Sequence, residues 1–155
     1  MAKFSSGGKP LSPAPLGFNG QGINGVGWGT GMSEDKVWVG TFNKTVGVFD
    51  LHGNPLGPVT FGPEVGELQG FGTAPNGDVW VADNTKNHMI RFPNGDHTKP
   101  EVIEVPGLTN PFGVAVDQQN RVWVTSSEGN KLTIFSGDDP TKDVHQIPVA
   151  IGQRG

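Results

Sequence analysis

Three stretches of the chain repeat one alternation of apolar and polar positions around a tryptophan. They read KVWVGTFNKTVGVF, DVWVADNTKNHMIRF and RVWVTSSEGNKLTIF, and each holds a strand pattern, a polar loop and a second strand pattern. The tryptophans, Trp38, Trp80 and Trp123, are 42 and 43 residues apart. A fixed period in this range indicates a repeat architecture, in which each repeat is a small unit that packs on the next.

Each repeat contains four such strand patterns, separated by turns rich in Gly, Pro, Asn and Asp. The first is GWGTGM, GFGTAP or PFGVAV, the second holds the tryptophan, the third ends at a phenylalanine, and the fourth is GPVTF, EVIEV or VHQIPV. No window sustains the period of 3.6 residues that a helix needs. Four short antiparallel strands repeated in this way are typical of a β-propeller blade. A β-sandwich, the other all-β candidate, does not require the same tryptophan in each unit.

The repeat places blade boundaries along the whole chain. Blades are expected at residues 21–66, 67–107 and 108–151, preceded by outer strands of another blade at 1–20 and followed by a lead-in at 152–155. The outer strands are predicted because FSSGGKPLSP, from Phe4, matches FDLHGNPLGP, from Phe49. Closed propellers have about four to eight blades. We therefore expect an all-β propeller sector, which further blades of the same chain or a second copy would complete.

Composition and charge narrow the function classes. Gly and Pro number 25 and 13 among 155 residues, and they fall between the apolar runs, so they are interpreted as turns. The net charge of −4 disfavours nucleic acid as a partner. Because the chain has no cysteine, it has no disulfides or thiolate metal sites. No apolar run approaches a membrane span or the core of a signal peptide. The compartment is left open, and a periplasmic or secreted parent protein is compatible with the sequence.

Two stretches carry a family resemblance. NPFGVAVDQQNRVWV (110–124) and NGDVWVADNTKNHMIRF (76–92) follow the pattern of NHL propeller repeats, and the chain resembles that family. KVWVGTFNKTVGVFDLHG (36–53) is similar to the propeller repeats of two-component regulators. The tryptophan strand followed by NHMIRFPNGD resembles streptogramin B lyase and gluconolactonase-like propellers. These resemblances imply a shared β-propeller fold more directly than a shared activity.

Candidate ligand-binding residues fall at one end of the predicted blades. Loops on a rigid scaffold are common places for sites, and an aromatic residue begins each innermost strand. The candidates are Phe42, Asn43, Asp83, Asn84, Ser127 and Glu128 in the loops, and Trp28, Phe71 and Phe112 in the inner strands. The structural alternatives are that Asp83 caps a turn, that the three strand aromatics plug the narrow centre of the ring, and that the Val-Trp-Val strands are core.

Three functions remain open. The first is a scaffold that binds a small molecule, glycan or protein through its loop face. The second, implied by the resemblance, is a lyase or lactone hydrolase whose catalytic residues lie largely in other blades. In streptogramin B lyase an acid typically stands three residues after the tryptophan, and here only Asp83 does so. The third is a sensor propeller of a larger signalling protein. No catalytic set, cofactor or metal motif is evident, and a divalent metal is compatible with a complete propeller.

Overall fold

The structure, a computed structural model, describes residues 4–9 and 26–149. These residues form twelve strands in three four-stranded antiparallel sheets, so the predicted propeller blades are confirmed. Blade 1 contains β1 (Gly27–Met32), β2 (Lys36–Thr41), β3 (Thr45–Asp50) and β4 (Pro55–Thr60). Blade 2 contains β5 (Leu68–Thr73), β6 (Val79–Asp83), β7 (His88–Phe92) and β8 (Glu101–Glu104). Blade 3 contains β9 (Pro111–Val116), β10 (Arg121–Ser126), β11 (Lys131–Ser136) and β12 (His145–Pro148).

Strand order within each blade follows the chain, from the innermost strand to the outermost. A short 3₁₀ turn, Pro93–Gly95, joins β7 to the segment before β8. Within the described part of the chain, no helix has the length and apolar character needed to span a membrane.

The register of the two inner strands is the same in all three blades. Trp38 pairs with Gly31, and Trp80 pairs with Gly72. In blade 3, Trp123 pairs with Ala115. Each inner strand also carries a one-residue register shift near its start. Such a β-bulge bends the strand and increases its twist, as a wedge-shaped blade requires.

The core lies between consecutive blades. Because side chains alternate between the two faces of a strand, Trp80 faces blade 3 while its neighbours Val79 and Val81 face blade 1. One core cluster joins blades 1 and 2 around Trp38, and the other joins blades 2 and 3 around Trp80. Both tryptophans are completely buried, so the interpretation of the Val-Trp-Val strands as core is correct for blades 1 and 2, whereas Trp123 in blade 3 is partly exposed.

Inner strands of neighbouring blades approach closely at glycines. A Cβ atom at Gly29 would lie 1.7 Å from the Gln69 carbonyl oxygen, and one at Gly70 would lie 2.1 Å from that of Phe112. The backbones can meet at these two positions only because no side chain is present. The close approach fixes the inner end of each blade–blade interface.

Residues 4–9 form the same turn that joins β3 to β4. The Ser5 N–H donates to the Lys9 carbonyl (2.8 Å), as the Asp50 N–H donates to the Asn54 carbonyl (3.0 Å). Gly8 has φ +77°, in the left-handed region that glycine favours. This geometry agrees with the predicted match between Phe4 and Phe49. The rest of the predicted outer strands, and the expected lead-in at 152–155, lie outside the described residues.

Candidate functional site

The candidate residues other than Phe71 gather at one end of the blades. There, the loop from the second to the third strand is joined to the segment leading into the inner strand. The Asn84 N–H donates to the Glu67 carbonyl, and the Ser127 N–H donates to the Asn110 carbonyl, both at 2.9 Å. We call this end the loop face. The turns between the third and fourth strands lie at the opposite end, because consecutive antiparallel hairpins alternate ends.

Asp83 is buried beneath the loop face. One carboxylate oxygen, Oδ2, accepts a hydrogen bond from the Gly66 N–H (3.0 Å), and Oδ1 accepts one from the Lys86 N–H (3.3 Å). Burial raises the pKa of Asp83, although these hydrogen bonds and nearby His88 and Lys86 act in the opposite direction. The side chain is fully shielded from solvent. The bond from Lys86 is that of a turn-capping residue, and the bond from Gly66 joins the loop to the segment before β5.

The equivalent positions in the other blades also cap their loops. Thr41 Oγ1 accepts a hydrogen bond from the Asn43 N–H (3.2 Å). Ser126 Oγ accepts one from the Gly129 N–H (3.0 Å) and donates to the Thr109 carbonyl (2.6 Å). A capping oxygen at this position is therefore common to all three blades, whether or not it belongs to an acid.

Two of the three inner-strand aromatics are accessible. Trp28 is 54% exposed and Phe112 is 39% exposed. The Trp28 ring lies against that of Phe42, with 4.9 Å between the ring centroids. In each inner strand, one residue pairs with the tryptophan of the second strand. Trp28 and Phe112 each lie three residues before that paired residue, and the same position in blade 2 is Gln69. Gln69 is buried, and its Oε1 has no hydrogen-bond partner.

Phe71 lies elsewhere. It pairs with Val81 and lies after the bulge, next to the residue that pairs with Trp80. Its side chain packs against blade 1. Cβ atoms built on Gly31 and Gly40 would lie 2.5 and 3.0 Å from atoms of the Phe71 side chain. The ring thus fills a space that glycines leave open between blades 1 and 2. The structure does not bring Phe71 together with Trp28 and Phe112 at the loop face.

Asn84 and Ser127 form a polar bridge between blades 2 and 3. Asn84 Nδ2 donates to Ser127 Oγ and to the Pro111 carbonyl, both at 3.1 Å. Asn84 is partly buried, while Ser127 is exposed. The two remaining loop candidates, Asn43 and Glu128, are exposed side chains in their loops. Bonds between blades hold this part of the face rigid.

Sequence reasoning did not identify a cleft at the outer side of the loop face. It has a volume of about 360 Å³, and Lys86, Asn87, His88, Glu104, Val105, Pro106 and Gly107 line it. His88 Nε2 lies 3.9 Å from Glu104 Oε1, and His88 Nδ1 is buried without a partner. In the sequence, the adjacent polar residues Asn87 and His88 mark this cleft. Among the described residues, no three His, Asp or Glu side chains are arranged to hold a metal ion.

Comparisons with known proteins identify the fold. No protein-family model and no curated protein matches the chain. Virginiamycin B lyase from Staphylococcus aureus matches over 97% of this chain and 49% of its own, with a TM-score of 0.74 and 13% identity. A catalytically inactive variant of that lyase with quinupristin matches over the same shares, with a TM-score of 0.73 and 20% identity.

A nidogen–laminin complex matches over 71% of this chain and 42% of its own chain. The TM-score is 0.55 and the identity is 14%. This chain spans about half the length of the solved structures that it matches. At these identities the likeness establishes architecture only. The chain is a sector of a β-propeller and shares its fold with streptogramin B lyases.

Proposed function

We propose that this chain is a binding scaffold whose loop face takes a small molecule or glycan. The observation that carries the proposal is a contrast within the chain itself. The second-strand tryptophan, the valines on either side of it and the phenylalanine that ends the third strand repeat from blade to blade, whereas the two outermost positions at the loop face differ. Those two positions hold Trp28 and Phe42 in blade 1, Gln69 and Asn84 in blade 2, and Phe112 and Ser127 in blade 3. Variable side chains on a constant scaffold are typical of binding sites.

The chemistry of the face suits a ligand with a flat apolar surface and hydrogen-bonding groups. Exposed Trp28 and Phe112 offer aromatic rings, and stacking on such a ring contributes about 0.5–1.5 kcal/mol. The Asn84–Ser127 bridge between blades 2 and 3 adds an amide and a hydroxyl whose geometry is already fixed. A preorganised polar pair reduces the entropy lost on binding. A sugar ring or a cyclic peptide has both kinds of surface.

A lyase activity is the second candidate, and the match to virginiamycin B lyase supports it. The described residues contribute little to such chemistry. Asp83, the acid that the resemblance singles out, is buried and accepts two backbone hydrogen bonds. Catalysis would therefore depend on residues of further blades, whereas binding can use side chains present in this chain.

Titration of the 155-residue chain with quinupristin and with a set of neutral oligosaccharides tests the proposal. Binding is followed by calorimetry and by amide chemical shifts. For a ligand that binds, Trp28→Ala and Phe112→Ala should each weaken affinity by about 5–10-fold, the equivalent of one lost ring contact. His52→Ala, in an exposed turn at the opposite end, is the matched control and should change nothing.

The position of the shifts decides the outcome. Shifts concentrated around Phe42, Asn84 and Ser127 would support the loop face. Shifts concentrated at the turns of Gly53, Gly95 and Gly137 would contradict it. Conversion of quinupristin to a second species by the unsubstituted chain, detected by chromatography, would favour the lyase instead.

A further inference from the structure

The inner strands place Trp28, Gln69 and Phe112 in one row across the three blades. A Cβ atom at Gly29, the residue after Trp28, would overlap the Gln69 carbonyl oxygen. A Cβ atom at Gly70, the residue after Gln69, would overlap the Phe112 carbonyl oxygen. Because the backbones approach this closely, neighbouring positions of the row are adjacent in space. The amide residue of blade 2 therefore stands between the aromatic residues of blades 1 and 3.

The Gln69 carboxamide is buried without the hydrogen bonds that such a group needs. The residue is 5% exposed, and its Oε1 is shielded from solvent and has no hydrogen-bond partner among the described residues. The amide nitrogen, which forms no hydrogen bond in this part of the chain either, keeps some contact with solvent. A buried polar atom without a partner destabilises the folded state. Gln69 therefore lowers stability relative to an apolar side chain of the same size.

The scaffold does not require an amide at this position of the inner strand. Trp28 and Phe112 occupy it in the other two blades, so the same backbone accepts apolar side chains. Buried polar groups without partners are uncommon in folded proteins, and functional sites are among the places where they occur. The unpaired amide is thus a feature of blade 2 alone and not of the repeat.

The other amide of blade 2 at the loop face is already satisfied. Asn84 Nδ2 donates to Ser127 Oγ and to the Pro111 carbonyl, so its hydrogen bonds hold blade 2 to blade 3. Gln69 is therefore the polar residue of the row whose hydrogen bonds remain open. Its place between Trp28 and Phe112 puts these open hydrogen bonds beside two aromatic rings.

We propose that Gln69 is a specificity-determining residue of the loop face and that its carboxamide pairs with a secondary amide of the ligand. This inference rests on the proposed function and names the chemistry that the face selects. A carboxamide both donates and accepts hydrogen bonds, and a secondary amide supplies an N–H for Oε1 or a carbonyl for Nε2. Rotation about the last side-chain bond of Gln69 exchanges these two atoms, so either can face the ligand. Trp28 and Phe112 then contact the apolar groups beside the ligand amide.

Matched ligands test the amide on the unsubstituted chain, so this test does not depend on the folding of a variant. Tri-N-acetylchitotriose carries an acetamido group at the position where cellotriose carries a hydroxyl, on the same sugar backbone. Quinupristin represents the other source of secondary amides, a cyclic peptide. By calorimetry, at least one of the two amide compounds should bind at least about fivefold more tightly than cellotriose. Equal affinities for all three would overturn this inference and leave the proposed function standing.

Gln69→Met removes the amide while keeping the length of the side chain. Because an unpaired polar atom is lost, the urea midpoint should stay the same or rise. Affinity for the amide compound should fall at least about fivefold, to that of cellotriose. Gln118→Met makes the same change in the exposed turn between β9 and β10, at the opposite end of the blade, and should alter neither quantity.

The outcomes separate this inference from the proposed function. An amide compound that binds the unsubstituted chain and Gln69→Met equally well would overturn this inference alone. A lower urea midpoint with unchanged affinity would do the same, because it would show that the amide serves the fold. Absence of binding by all three compounds would overturn both proposals.

Discussion

Truncation of the blade tryptophans is the sharpest test of the register described above. Trp80 is completely buried between blades 2 and 3. The centroid of its ring lies 5.5 Å from that of Phe135 and 5.6 Å from the Arg91 guanidinium carbon. Truncating a buried tryptophan to alanine costs about 3–5 kcal/mol. The Trp80 indole N–H is buried without a partner, and losing that unpaired donor recovers part of the cost. We therefore expect Trp80→Ala to lower the free energy of unfolding by about 3 kcal/mol.

The other two tryptophans are matched comparisons at the same register. Trp38 is equally buried, but its indole N–H donates to Ser33 Oγ (3.0 Å). No unpaired donor is removed with it, so Trp38→Ala should cost more, about 4–5 kcal/mol. Trp123 is partly exposed and donates to Asp117 Oδ2 (2.9 Å). Trp123→Ala loses less buried area and should cost about 1–2 kcal/mol.

Urea unfolding followed by far-ultraviolet circular dichroism measures the three costs without relying on tryptophan fluorescence. All variants are compared at one protein concentration, since association changes apparent stability. The midpoint should move while the slope with denaturant stays constant. A nearly silent Trp80→Ala, or equal costs for Trp80→Ala and Trp123→Ala, would refute the assignment of buried and terminal blade faces. Trp80→Phe, which removes the unpaired N–H and keeps a ring, should cost less than Trp38→Phe.

Further predictions follow from close packing and from two carboxylates. Gly70→Ala places a Cβ 2.1 Å from a carbonyl oxygen and should cost about 1–3 kcal/mol in a thermal or urea melt. Gly7→Ala meets nothing nearer than 3.9 Å and should be neutral, so equal effects would contradict the close approach. Burial raises the pKa of Asp83, which favours the neutral acid in the folded state. Stability relative to Asp83→Asn should therefore rise as pH falls from 7 toward 4.

At Asp117 the pH dependence has the opposite sign. Burial alone would raise the pKa of Asp117, but hydrogen bonds from the Arg121 N–H, the Trp123 indole and the Arg121 guanidinium together lower it to about 2. Its stabilisation is present above its ordinary value of 3.8 and should be lost as pH falls from 3.8 to 2, relative to Asp117→Asn. Equal pH profiles for the Asp83 and Asp117 variants would contradict both assignments.

The blade pattern could be predicted because its signals are local. Alternation marks each strand, Asn76-Gly77 marks a hairpin, and the recurring tryptophan sets the period. Even the turn at residues 4–9 was indicated by its match to the residues after Phe49. In each case the sequence of a few neighbouring residues is enough to determine the local geometry.

The candidate site could be predicted only in part, because strand register is not a local property. The sequences GWG, GFG and PFG look equivalent. However, the pairing of each inner strand with its tryptophan strand aligns Trp28 and Phe112 with Gln69, and it places Phe71 in a blade interface. Gln69 was missed for the same reason. The burial of Asp83 was also not decided by its spacing, since an acid in a loop can point outward or cap the loop from within.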